Sequence, residues 1–279
     1  MSHQKIFIQS GKMKIAALHY EGEEKCVVMA HGFGAVKESL IPYAEKFAQD
    51  FGVLLFDYRF FGESEGWPRQ LIDIKSQLED WRNAIEFARG LGYRKIALWG
   101  TSFSGGHVLT LASEVRVDAV VSQVPFVDGL AVARAAGIKN VLKLALSGVA
   151  DKILSAMGRV NYVPIFGPEG SFAFMSSSEA EKYSYLIPEG VEWFNAVPAR
   201  IALSILQYRP ITKVGLIKCP VLYVVAERDG ITPAKATLKA AEMTENSEVV
   251  RVDGDHFDVY LDFFDFCVER EREFLERVL

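Results

Sequence analysis

The sequence predicts an α/β fold: a mostly parallel sheet covered by helices on both faces and interrupted by a helical insertion. Three observations carry this. Short, nearly unbroken apolar runs such as Val53–Tyr58 and Val221–Ala226 have the pattern of strands buried on both sides. Segments with apolar residues at helical spacing alternate with them. The alternation stops after Pro125 and resumes near Cys219, with no clear strand between.

The elements follow in order. The N-terminal residues lead directly into strand-like sequence, and Met13–Tyr20 and Cys26–Ala30 are short β-rich runs. Leu40–Phe51 reads as a helix through Leu40, Tyr43, Ala44 and Phe47, followed by the strand Val53–Tyr58. Ile72–Arg89 is helical, with Ile74, Leu78, Trp81, Ile85 and Ala88 on one stripe. Lys95–Gly100, Gly105–Ala112 and Asp118–Val124 read as strand, helix and strand. Leu130–Gly158 reads as one or two amphipathic helices, Asn161–Ser178 as a loop and Val191–Leu206 as further helix. Val221–Ala226, Pro233–Met243, Glu248–Val252 and Phe257–Leu279 then restore strand, helix, strand and helix. Residues 1–125 and 219–279 are therefore expected to form the core, and residues 126–218 a helical cap.

Composition narrows the function. The chain has 279 residues, half of them hydrophobic and 24% charged, enough to bury a large core. Its net charge of −5 argues against binding a nucleic-acid backbone. No apolar run reaches the length of a transmembrane helix, and the first residues lack a signal-peptide core. Cys26, Cys219 and Cys267 are odd in number and far apart, which suggests neither a disulfide framework nor a zinc knuckle. A reducing, cytoplasmic compartment is expected. No histidine pair or phosphate-binding glycine pattern calls for a metal or nucleotide, so no cofactor is expected.

The chemistry concentrates at Gly100-Thr101-Ser102-Phe103-Ser104-Gly105-Gly106, where a strand meets a helix. A serine on such a tight turn exposes its hydroxyl, and small neighbours let strand and helix pack around it. The usual Gly-x-Ser-x-Gly ends here in serine, leaving two registers. Ser102 keeps a glycine two places before it; Ser104 keeps one two places after it. Ser102 is favoured because Gly100 directly follows the strand.

A serine needs a base. Of the histidines, His3 lies in the tail, His19 in an early strand, His31 after another strand and His107 inside a helix. His256 lies in a loop between the last strand and the last helix, and is the expected base. Asp229, in the turn after Val221–Ala226, is the expected acid that orients it. Asp229 also suits a turn or helix cap, and Asp128 and Glu227 are the rival acids. The backbone N–H groups of Phe33, in Ala30-His31-Gly32-Phe33-Gly34, and of Phe103 are the expected oxyanion donors.

Together these stretches resemble the α/β-hydrolase superfamily over nearly the whole chain. Asp57-Tyr58-Arg59-Phe60-Phe61-Gly62-Glu63-Ser64 looks like its Asp-x-Arg-x-x-Gly-x-Ser loop, which implies a structural role for Asp57 and Arg59. Gly-Thr-Ser-Phe-Ser-Gly-Gly-His resembles a microbial branch labelled dienelactone-hydrolase-like or polyketide hydrolase/transferase-like, related to the X-Pro dipeptidyl peptidase type. The resemblance implies about eight strands and the chain order serine, acid, histidine. Ser102 stands where other branches carry a nucleophilic aspartate or cysteine, which leaves serine-based acyl transfer.

The expected activity is hydrolysis of small carboxylic esters with short-to-medium acyl or aromatic groups. Phe166, Phe172, Phe174, Trp193 and Phe194, with Tyr183 and Tyr185, are candidates to line the pocket or to form the cap's own core. A peptidase, amidase or acyltransferase with the same three residues is the alternative. Glu169, Glu179, Glu181, Glu189 and Glu192 are available to hold a substrate ammonium. A silent hydrolase fold used for binding is a third reading. The amphipathic Leu130–Gly158 segment leaves room for a membrane-surface contact or a homodimer.

Overall fold

The apolar runs assemble into one eight-stranded sheet, seen in a computed structural model that describes residues 2–279. Its strands are β1 (Gln4–Ser10), β2 (Met13–Tyr20), β3 (Lys25–Ala30), β4 (Gly52–Phe56), β5 (Lys95–Thr101), β6 (Ala119–Gln123), β7 (Val221–Ala226) and β8 (Ser247–Val252). They lie in the order β1-β2-β4-β3-β5-β6-β7-β8. β1 and β2 form an antiparallel hairpin, and β2 runs antiparallel to β4. Every other pairing is parallel, as the alternating sequence predicted.

Strands covered on both faces have no polar side to show. Alternate residues divide between two cores. Val28, Ala30, Leu54, Phe56 and Leu98 pack with Trp81, Ile85, Leu109 and Ala240 of α2 (Ile74–Gly90), α3 (Phe103–Ala112) and α6 (Ala234–Glu242). Val27, Met29, Val53, Leu55 and Trp99 pack with Tyr43, Phe47, Cys267 and Phe274 of α1 (Ile41–Phe47) and α7 (Phe264–Val278). A one-residue slip would exchange the two sets, so the packing pins the register. Asp57 accepts from the Lys37 backbone N–H at 2.7 Å and from its ammonium at 2.9 Å, and Arg59 Nε donates to Asp80 at 2.8 Å. Both are buried structural pairs.

Residues 126–218 join β6 to β7. α4 (Gly129–Ala136) and α5 (Ile138–Ser155) occupy the long amphipathic stretch. They break at Gly137, whose φ of 79° suits a residue without Cβ. Val191–Leu206 is not the α-helix that its spacing predicted. It holds a two-residue strand, Val197–Pro198, then 3-10 turns at Ala199–Leu203 and Ile205–Gln207. Pro198 has no N–H to give a helix, and the Asn195 side chain accepts from the backbone of Ile165 and Phe166. The apolar residues there serve a small cluster of Leu144, Val163, Ala199 and Ala202.

The last helix begins at Phe264 rather than Phe257. Before it, the carboxylates of Asp255 and Asp258 accept from the N–H groups of Phe257 and Asp255, which favours turns over helix. The three cysteines are unpaired. Among the described residues no helix is long and apolar enough to cross a membrane.

Candidate active site

β5 ends at Thr101 and α3 begins at Phe103, which leaves Ser102 alone at the turn. Its φ and ψ are 54° and −119°, a costly conformation for a residue with a side chain. The surrounding backbone enforces it. Ser102 N–H donates to the Gln123 carbonyl at 2.8 Å, and its own carbonyl accepts from Phe126 N–H at 2.8 Å. Small residues make the turn possible: a Cβ on Gly100 would lie 2.4 Å from the Ser104 carbonyl oxygen.

The strand-end loops deliver two more side chains. His256 Nε2 lies 3.0 Å from Ser102 Oγ, and its Nδ1 lies 2.8 Å from Asp229 Oδ2. Asp229 Oδ1 accepts from the N–H groups of Ile231 and Thr232 at 2.9 and 2.6 Å, so one carboxylate both closes the turn and faces the imidazole. Burial pulls the His256 pKa down, but the Asp229 charge and hydrogen bond, with Glu179 and Asp255, outweigh it. The net result lies above the ordinary imidazole value.

The rival residues are engaged elsewhere. Ser104 Oγ is buried 2.8 Å from the Tyr58 hydroxyl, which also accepts from Trp81 Nε1. Asp128 caps α4 and pairs with Arg209, and Glu227 pairs with Arg251 on the surface. His19 contacts the Tyr93 hydroxyl at 2.9 Å. His31 Nδ1 donates to the Gly32 carbonyl, and burial pushes its pKa down to about 4. His107 sits between Tyr208 and Gln77, and burial pushes its pKa down to about 3.

Phe103 is the first residue of α3, so its N–H has no acceptor within the helix. Phe33 lies in the loop after β3. Two side chains from residues 126–218 hold that loop: the Tyr183 hydroxyl donates to the Phe33 carbonyl at 2.8 Å and Trp193 Nε1 to the Gly34 carbonyl at 2.7 Å.

Ser102 borders an apolar cavity lined by Phe33, Phe103, Phe126, Val132, Leu144, Phe174, Met175 and Ile205, among others, with no charged side chain. A smaller recess beside His256 is bordered by Ser39, Thr101, Tyr183, Leu186 and Tyr260. Of the aromatics expected at a pocket, Phe174 lines the first and Tyr183 the second. Phe166 instead stacks on Tyr183 and Trp193, Phe194 packs on Tyr162, and Phe172 and Tyr185 are exposed. Glu169, Glu181, Glu189 and Glu192 are exposed and line neither cavity. Sequence reasoning missed Val132, Leu144 and Met175 as cavity walls, and Thr232, whose hydroxyl donates to Asp229 Oδ2 at 2.8 Å. For Val132 and Leu144 the signal was the helical periodicity alone.

Residues 27–270 match the model of the alpha/beta hydrolase family. The chain belongs to this family. It is 42% identical over 262 residues to the quorum-quenching protein AidA of Acinetobacter baumannii (strain MDR-ZJ06), covering 91% of this chain and 86% of that one. A 130-residue stretch, 44% of this chain and 41% of the relative, is 42% identical to the thiohydrolase aneE of Aspergillus aculeatus. The crystal structure of the alpha/beta hydrolase GrgF from Penicillium sp. sh18 superposes with a TM-score of 0.83 at 22% identity, covering 100% of this chain and 99% of that one. That likeness is one of fold.

Proposed function

We propose that this alpha/beta hydrolase is a serine esterase that cleaves small carboxylic esters through an acyl-enzyme. The contact of Ser102 Oγ with His256 Nε2 at 3.0 Å, at the edge of an uncharged apolar cavity, carries the reading. Ser102 Oγ attacks the ester carbonyl carbon as His256 Nε2 takes its proton. The N–H groups of Phe33 and Phe103 receive the negative oxygen. Collapse expels the alkoxide, which leaves as the alcohol with the proton from His256. Water, deprotonated by the same imidazole, then attacks the acyl carbon, and the proton returns to Ser102. Asp229 holds the imidazole in the tautomer that this sequence needs.

In this reading residues 126–218 act as the cap. Val132 and Leu144 wall the acyl site, while Tyr183 and Trp193 hold the oxyanion loop from above. The uncharged lining suits an acyl chain or a ring and offers nothing to an ammonium, which argues against an aminopeptidase. The test compares p-nitrophenyl esters of graded chain length with aminoacyl p-nitroanilides. Ester turnover that disappears in Ser102→Ala is expected; preferential anilide turnover would replace the esterase by a peptidase. Failure of a fluorophosphonate to label the wild type would favour a binding role.

One observation favours a variant of the same chemistry. A second recess, bordered by Ser39, Leu186 and Tyr260, lies beside His256 and could seat a thiol leaving group or an acceptor other than water. The relative named a thiohydrolase supports including thioesters. Product ratios with added alcohols or thiols separate transfer from hydrolysis.

A further inference from the structure

Helix α5 is apolar on two opposite sides. Its inner side, with Val141 and Leu144, walls the cavity at Ser102. Its outer side carries Ile138, Leu142, Leu146, Val149 and Ile153, and Met157 follows in the turn after it; these six are between 48% and 72% exposed. At 3.6 residues per turn the five from Ile138 to Ile153 form one stripe along the helix axis, about 22 Å long, and Met157 extends it just past the helix end. Lys139 and Lys143 fall along one margin of the stripe and Lys152 along the other. A contiguous apolar surface of this kind marks an interaction site.

Charge identifies the partner. From Gly129 to Val160 the chain has the five basic residues Arg134, Lys139, Lys143, Lys152 and Arg159, against one carboxylate, Asp151. Asp151 is buried and paired with Arg200. The chain as a whole is −5, so the positive margin is local to this hairpin. Two copies packed stripe to stripe would bring lysine margins together with no exposed carboxylate on either helix to neutralise them. An anionic lipid surface offers acyl chains for the stripe and phosphates for both margins.

We propose that α5 docks on the surface of a bilayer containing anionic lipids, lying in the headgroup plane with its apolar stripe inward. Its opposite side then presents the cavity at Ser102 just above the lipid. The proposal rests on the esterase reading only for what enters that cavity; the docking itself does not need it.

The test incubates the purified full chain with phosphatidylcholine vesicles and with vesicles in which about a third of the lipid is phosphatidylglycerol, followed by flotation. Binding to the anionic vesicles, weakened by salt, is expected. It should fall on the order of tenfold or more in Leu142→Glu/Leu146→Glu and in Lys139→Glu/Lys143→Glu/Lys152→Glu. Neither variant touches the cavity, so both should keep turnover of a short water-soluble ester, which also reports that they fold. A wild type that ignores anionic vesicles overturns the proposal. So does a concentration-dependent dimer lost in Leu146→Glu, which would assign the stripe to a second copy. A chain that binds vesicles but hydrolyses no ester sinks the esterase reading alone.

Discussion

The Glu179 carboxylate accepts the backbone N–H of His256 at 3.0 Å. Three residues later, Lys182 Nζ bridges Asp255 and Asp258 at 2.6 Å each. One short stretch between β6 and β7 thus grips the chain on both sides of His256. Burial raises the Glu179 pKa, the His256 N–H lowers it, and the nearby charges of Asp229 and Asp255 raise it further.

Removing that negative charge should change how His256 titrates. Glu179→Gln keeps an acceptor for the N–H but no charge, so the imidazole loses one of the groups that raise its pKa. The acid limb of the kcat/KM profile should move to lower pH, with kcat near its plateau largely retained. Glu179→Ala should in addition cost about 1–3 kcal/mol of stability, because the buried N–H loses its acceptor. A thermal melt beside the pH–rate profile separates the two effects.

The wild-type profile has a predictable sign. In the proposed mechanism only neutral His256 accepts the Ser102 proton, and its pKa lies above the ordinary 6.5. Activity should therefore fall, as pH drops, earlier than for an unperturbed histidine. Asp229→Asn removes the charge that does most of the raising and should lower kcat by a factor on the order of 10⁴. An acid limb below 6.5 in the wild type would contradict the assignment of this base.

The two serine registers separate cleanly. Ser102→Ala should lower kcat by a factor on the order of 10⁴ or more. Ser104→Ala should leave kcat within a few-fold and cost about 1 kcal/mol of stability, since it deletes only the bond to Tyr58. Parallel ester kinetics and denaturant melts on the two variants check this.

Glu271 predicts a pH-dependent stability far from the site. It is fully buried, one oxygen accepts from Trp99 Nε1 at 2.9 Å, and the other has no partner. Burial pushes its pKa from 4.5 up to about 8. The folded chain therefore binds this proton more tightly than the unfolded chain. That contribution is fully present below about pH 4.5 and is lost as pH rises towards about 8. Glu271→Gln keeps the neutral shape without the titration. Its melting temperature should match the wild type near pH 5 and exceed it near pH 8 by an amount worth about 1 kcal/mol or more. Equal melting temperatures at both values would show that this carboxyl is charged in the fold.

The sequence by itself determined the layered α/β architecture and the candidate residues of the site. Both are local properties: a doubly covered strand has no polar alternation to hide, and a turn that ends a strand announces itself in glycine, serine and aspartate. Ser102, Asp229 and His256 each stand just past such a strand, so their types and order could be read directly. Only the tertiary structure decided which apolar face meets the cavity. Periodicity marks α5 as amphipathic, yet this helix has apolar residues on both sides, and its packing on Val163, Ala199 and Ala202 selects Leu144 for the interior. It also decided that Tyr183 and Trp193 spend their polar atoms on the Phe33 and Gly34 carbonyls, 150 and 159 residues away. Glu179 looked like one acid among several, and its bond to the His256 backbone exists because the folded chain brings residues 77 apart into contact. Such pairings leave no periodic trace, since they depend on packing between elements rather than on the repeat of any one of them.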